Sequence, residues 1–181
     1  MVAAVAFRRL LASFALTGSG KPRLATIGVY GFSAETFAAA LREAEVTLVL
    51  DVRQRRGVRG SEYAWANSLR LQRLLAAAAV GYRHLRQLAP TTELRQLQYR
   101  ADDRAGVGKR SRVELAAEYR DRYTREILDA ADLDAIVAGL PAQGISALLC
   151  VERDPAACHR SLVTQRIARD HSASVVDIVP A

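Results

Sequence analysis

The chain has 181 residues, half of them apolar and a quarter charged, with two cysteines. That suits one domain that buries its own core, and it excludes a disordered chain and a secreted disulfide framework. The net charge is +7, yet it is unevenly placed: residues 1–52 carry +1, residues 53–112 carry fourteen cations against four acids, and residues 113–181 carry −4.

The first segment, Met1 to Arg23, sets Arg8-Arg9 before a short apolar stretch, with no Ala-x-Ala pattern after it. Gly18-Ser19-Gly20-Lys21-Pro22 reads as a flexible link. Residues 1–23 are therefore expected to be a loose arm, and residues 24–181 a single domain. No apolar run approaches the ~18–20 residues of a membrane span, so no membrane partner is expected. With free thiols, the chain is expected to be cytoplasmic.

Leu24 to Val29 predicts a strand, turning at Gly28 and Gly31. Ser33 then suits a helix N-cap, with Phe37 and Leu41 giving helical spacing up to Ala44. Val46 to Leu50 is a continuous β-branched and apolar run, the mark of a strand buried on both faces. It ends at Asp51, and an Arg-rich loop follows to about Tyr63. Leu71 and Leu75 predict a helix closing near Gly81, and Tyr82 to Leu85 a third strand. Residues 86–112 are polar and show no clear period. Val113 to Leu128 has helical spacing through Leu115, Tyr119, Tyr123 and Ile127. Asp132 to Leu140 predicts a short helix, and Ile145 to Val151 a buried strand. Asp154-Pro155 is a good helix start, with Leu162, Val163 and Ile167 as its core face. Ser174 to Val179 completes the set.

Short apolar strands alternating with helices predict an α/β fold: three layers around a mainly parallel, doubly wound, Rossmann-like sheet. In such sheets, ligands bind outside the C-terminal strand ends. The loops there carry Tyr30 and Ser33, then Asp51 with Arg53, then His84, then Cys150, Glu152 and the run Cys158-His159-Arg160.

Cys158, His159 and Arg160 are expected in the first turns of a helix, where amide donors and the positive dipole end favour anions and ionised thiols. Arg160 offers a fork suited to phosphate or carboxylate. Cys158 is a candidate nucleophile, and Asp51, Glu152 and His159 are candidates for acid–base work. Arg53, Arg160 and Ser33 are candidates for holding an anion. Arg55, Arg56 and Arg59, beside Trp65, suit a nucleic-acid rim with a stacking surface. Each has a plainer alternative: a buried thiol, a structural histidine or a solvated charged loop.

Metal is not expected. The spacing of Cys150, Cys158 and His159 lacks the paired short gaps of structural zinc sites, and neighbours on a helix point in different directions. A tyrosine-phosphatase-type loop needs Arg six positions after Cys, where this chain has Ala156 and Thr164. No cofactor is expected either.

In order, Thr26-Ile27-Gly28, Asp51-Val52-Arg53, Tyr82-Arg83-His84-Leu85 and Leu148-Leu149-Cys150-Val151-Glu152 with Cys158-His159-Arg160 resemble the domain of unknown function 488 family over residues 24–180. The resemblance implies a compact α/β domain with these loops clustered, and no established reaction. The chain departs from the family pattern at three places. Val29-Tyr30 stands for the usual His-Ser after the first-strand glycine. Gln54 to Gly57 replaces a proline and Ser-Arg. Leu88-Ala89-Pro90 replaces Leu-Gly-Gly.

Three functions follow as expectations. One is an enzyme-like site for a phosphate-bearing substrate, nucleotide or nucleic acid. The second is a non-catalytic nucleic-acid-binding module. The third is a ligand-sensing domain. The expected partner is an anionic small molecule or a nucleic acid.

Overall fold

The computed structural model describes residues 20–108 and 110–180. Most of the arm expected over residues 1–23 lies outside them, as does Lys109. In chain order the elements are β1 (Arg23–Ile27), α1 (Ala34–Glu43), β2 (Val46–Asp51), α2 (Ser68–Ala77), β3 (Gly81–His84), α3 (Thr92–Arg104), α4 (Ala117–Tyr123), α5 (Leu133–Ala138), β4 (Ile145–Leu149), α6 (His159–His171) and β5 (Ser174–Ile178). Short 3₁₀ turns stand at Ser61–Ala66, Arg86–Leu88 and Pro155–Ala157, and a π-helical turn at Thr124–Leu128 continues α4.

The five strands form one sheet in the order β3-β2-β4-β1-β5, and every pairing is parallel. Side-chain alternation divides the core in two. Leu24, Leu50, Leu148 and Cys150 face Leu94, Tyr119, Tyr123, Ile136, Val163 and Ile167, the buried side chains of α3–α6. Ala25, Ile27, Val49, Ala147 and Leu149 face Phe37 and Leu41 of α1 and Leu71 and Leu75 of α2. The result is the expected three-layer α/β arrangement. One bulge between Val46 and Leu48 switches the parity of β2, so that Val46 joins the α1–α2 face and Leu48 the other.

Strand order decides where a site can form. β4 enters late in the chain and inserts between β2 and β1. The ends of β2 and β4 therefore lie side by side at the same sheet edge, with the β1 loop next to them. Such a reversal of winding leaves the crevice that ligands use in open α/β sheets.

The structure corrects the sequence-based expectations at three places. Residues 92–104 form a helix where no period was visible, because α3 buries Gln98 and Asp102 beside Leu94 and Leu97. The helix expected from Val113 begins at Ala117. The helix expected from Asp154-Pro155 begins at His159, after an isolated 3₁₀ turn. Among the described residues, no helix is long and apolar enough to cross a membrane.

Candidate functional site

The end of β2 is a closed electrostatic corner. Arg53 Nε donates to Asp51 Oδ1 at 2.8 Å, and Nη2 to Oδ2 at 2.7 Å. The Arg53 amide also donates to Oδ1, and Tyr82 donates its hydroxyl to Oδ2. Arg53 Nη1 donates to the Ala66 carbonyl. Both side chains are buried. Burial alone would raise the Asp51 carboxyl, but the hydrogen bonds and charge of Arg53, with Tyr82, hold it below the usual carboxylate range. Both oxygens of this acid are thus occupied by protein donors. His84, on β3, places Nε2 3.0 Å from the Arg53 carbonyl oxygen and belongs to the same corner.

Between Asp51 and Arg53, Val52 is pinned. Its amide donates to Leu149 O across to β4. Its carbonyl oxygen lies 3.0 Å from His159 Nε2. A carbonyl only accepts, so Nε2 carries a hydrogen, and the ring turns Nδ1 toward the two sulfurs.

The end of β4 holds the complementary group. The loop after β4 crosses β1 so closely that a Cβ on Gly28 would run into the Glu152 carbonyl oxygen. Val29 and Tyr30 amides both donate to Val151 O. Arg160 locks this loop from beneath, with Nη1 on Glu152 O at 2.7 Å and Nη2 on Arg153 O at 2.9 Å. Arg160 is completely buried. Its fork thus grips two main-chain carbonyls, where the sequence suggested a bound anion.

Local backbone brings two sequence neighbours together. The Pro155–Ala157 turn delivers Cys158 to the N-cap of α6 in an extended conformation, φ −141° and ψ 141°. His159 is already helical. The expectation that Cys158 and His159 diverge assumed helical geometry at both, and fails for that reason. Cys158 Sγ lies 3.8 Å from His159 Nδ1, and Cys150 Sγ lies 3.9 Å from the same atom. Cys150 Sγ donates to Glu152 Oε2 at 3.3 Å.

Burial opposes ionisation of Cys158, but the neighbouring Cys150 and the charges of His159 and Arg160 outweigh it and hold that thiol well below its ordinary value. Its contact with Cys158, burial and the nearby Glu152 carboxylate push Cys150 well above. Burial would lower His159; the Cys158 charge and the Val52 carbonyl raise it instead. The His159 ring leans on Tyr123, their centroids 5.3 Å apart, and Tyr123 is tied by its hydroxyl to Leu88 O.

Above this floor opens a cavity of about 520 Å³, with Tyr30, Arg55, Arg59, Arg95, Arg112 and Glu152 among its lining residues together with both cysteines and His159. Arg112 is the notable member. It is 7% exposed, yet its ion pairs are long, 3.5 Å to Glu152 and 3.7 Å to Asp102. Its Nε is buried without a hydrogen-bond partner. A buried guanidinium so loosely held has donors to spare for an anion.

The expected residues therefore separate. Cys158, His159, Glu152, Arg53, Arg55 and Arg59 line one cavity. Asp51 stands behind Arg53, and Arg160 beneath the β4 loop. Ser33 is exposed and spends its hydroxyl on capping α1, accepting from the Thr36 amide and donating to Glu35. Trp65 packs on Phe37 with ring centroids 4.8 Å apart and lies half-buried against the α1–α2 core. Arg56 is half-buried near the Asp51 corner, in electrostatic reach of Tyr82. Sequence reasoning missed Arg112, Arg95 and Tyr119. Tyr119 lies at helical spacing with Tyr123, a signal that was present, whereas Arg95 falls in the stretch that shows no period. Arg112 gave none, since its burial depends on acids from two distant elements.

A family model described as Domain of unknown function DUF488 matches residues 33–167. No curated protein and no solved structure matches the chain.

Proposed function

The chain belongs to the domain of unknown function DUF488 family, and from its own pocket we propose an enzyme-type site for an anionic, phosphate-bearing substrate. The observation that carries this is Arg112, a nearly buried guanidinium with an unpartnered Nε in the lining of a cavity floored by Cys158 and His159. Arg112 receives the anion, and Arg55, Arg59 and Arg95 supply a positive field over the same opening. The chemistry belongs to the floor, where His159 Nδ1 faces both sulfurs and the Glu152 carboxylate stands beside Cys150. Asp51 and Arg160 hold that floor in place from behind it, and Arg53, at the cavity wall, spends its guanidinium on Asp51 and the Ala66 carbonyl.

The nucleic-acid-binding module has less support. Its stacking residue Trp65 is engaged against Phe37 of the core. Arg55 and Arg59 are exposed as that alternative requires.

Calorimetric titration with inorganic phosphate and with a nucleoside monophosphate tests the proposal. Wild type binds, and Arg112→Met weakens binding by roughly tenfold or more, the worth of a charge-assisted hydrogen bond. Arg112→Lys recovers part of it. Replacing Arg55 and Arg59 costs less and flattens the salt dependence. No binding by wild type, or equal binding by Arg112→Met, overturns the assignment. A loss confined to the Arg55 and Arg59 variant favours the binding module.

A further inference from the structure

We propose that Cys150 Sγ, Cys158 Sγ and His159 Nδ1 hold one soft divalent metal ion of the zinc class, with a fourth position open to the cavity. The proposal deepens the active-site assignment and rests on it for the role of the metal, though not for its binding. Three observations carry it.

The first is distance. The three donor atoms all lie within 4.8 Å of one another, and the two measured sulfur-to-nitrogen separations are 3.8 and 3.9 Å. Ligands at zinc–sulfur and zinc–nitrogen bond lengths in a tetrahedron stand about 3.6 Å apart. The two sulfur–nitrogen pairs are within a few tenths of an ångström of that spacing, and the two sulfurs, at most 4.8 Å apart, draw together by no more than about 1 Å to complete it.

The second is the direction of the imidazole. His159 Nε2 is engaged by the Val52 carbonyl at 3.0 Å. That hydrogen bond to the outer nitrogen is the usual way in which a metal-binding histidine is oriented and its other nitrogen left as donor. The Val52 carbonyl is itself fixed by the closed Asp51–Arg53 corner and by the Val52 amide on Leu149 O.

The third is the donor set. Both cysteines are free and buried, and no disulfide is formed. Two thiolates and an imidazole are soft and borderline ligands that select zinc or its relatives over magnesium or calcium. Three protein ligands with an open place are the pattern of catalytic sites, as four are of structural ones. All three donors and Glu152 line the cavity. Binding releases two protons to solvent: one from the Cys150 thiol and one from the Cys158–His159 pair, after which the two thiolates cancel the dication and the imidazole is neutral. The proton that Cys150 shares with Glu152 is one of those released. A water in the fourth position would then stand next to the Glu152 carboxylate and within the field of Arg112, as a polarised nucleophile for a phosphate-bearing substrate.

The test uses the full chain, stripped by chelator under reducing conditions and titrated with cobalt(II) and zinc(II). One cobalt per chain is expected, with visible bands of tetrahedral intensity and near-ultraviolet sulfur-to-cobalt charge transfer, and zinc should displace it. Zinc should also raise the melting temperature of the stripped protein. Cys150→Ser, Cys158→Ser and His159→Gln should each weaken cobalt affinity by about tenfold or more, whereas His171→Gln, on the far end of α6, should leave it unchanged. An octahedral, sulfur-free spectrum, or a stoichiometry that survives all three ligand variants, overturns the site. The wild-type spectrum decides even if a variant fails to fold. The outcomes separate from those of the previous proposal: phosphate binding without cobalt sinks the metal site alone, and cobalt binding without phosphate sinks the substrate assignment alone.

Discussion

Two strand ends lie side by side in this molecule and are built in opposite ways. At the end of β2, Asp51 and Arg53 meet through two short contacts of 2.8 and 2.7 Å, with the remaining capacity taken by Tyr82, Ala66 and a main-chain amide. At the end of β4, Cys150, Cys158 and His159 approach without closing, and Arg112 is held at 3.5 and 3.7 Å with one donor unpartnered. Both groups are buried. The difference teaches that buried charge by itself does not mark a site. A saturated pair organises the backbone, whereas an unsaturated cluster facing a cavity has bonds left to offer.

The largest effect expected from this contrast is on the saturated side. Asp51→Asn leaves the Arg53 guanidinium buried with half its partnership gone, and should cost about 3–5 kcal/mol in urea unfolding. The same pair sets an acid dependence. The Asp51 carboxyl is held below its unfolded value, so its contribution is present above that value and fades as pH falls through the lower, folded one. The wild-type protein should therefore lose stability in strong acid more steeply than Asp51→Asn does. A variant as stable and as acid-sensitive as wild type would break the comparison.

Next comes Arg160→Met, which removes two hydrogen bonds from a cationic fork to the Glu152 and Arg153 carbonyls. A loss of about 2–3 kcal/mol is expected, with no change in the salt dependence of anion binding. A pure binding defect at unchanged stability would return Arg160 to the substrate. Ser33→Ala should cost about 1 kcal/mol, as a lost N-cap does, and leave phosphate binding alone. The smallest stability change should come from Cys150→Ser in the metal-free protein, below about 1 kcal/mol, because no strong hydrogen bond depends on that sulfur. A large loss there would mean that the cluster is structural after all.

The same contrast explains what could be read in the amino-acid order. Val46–Leu50 and Ile145–Leu149 announce buried strands because both faces of a parallel sheet are covered, so their apolar character is continuous. The strand ends followed from that, and with them the grouping of Asp51, Arg53, Cys150, Glu152 and His159. α3 stayed hidden because two of its four buried positions are polar: Gln98 donates to Asp102 within the helix and accepts the Ala116 amide, and Asp102 pairs with Arg112. Roles were harder than places. Arg53 and Arg160 have the residue type that holds phosphate, yet Arg53 spends all three nitrogens on protein oxygens, and Arg160 spends Nη1 and Nη2 on main-chain carbonyls with only its Nε unpartnered. Nothing in their neighbours along the chain distinguishes them from Arg112. Cys158 and His159 met because one φ angle at the cap is extended, a fact about the Pro155–Ala157 turn that precedes them.

The central claim is that the unsaturated corner receives the anion. A crystal of the full chain soaked in tungstate, a heavy phosphate analogue located by its anomalous signal, tests it most directly. The account predicts the anion inside the cavity, bonded to the Arg112 guanidinium and facing Cys158 and His159. No anion on Arg112, with tungstate only on exposed arginines outside the cavity such as Arg70 and Arg125, would contradict it.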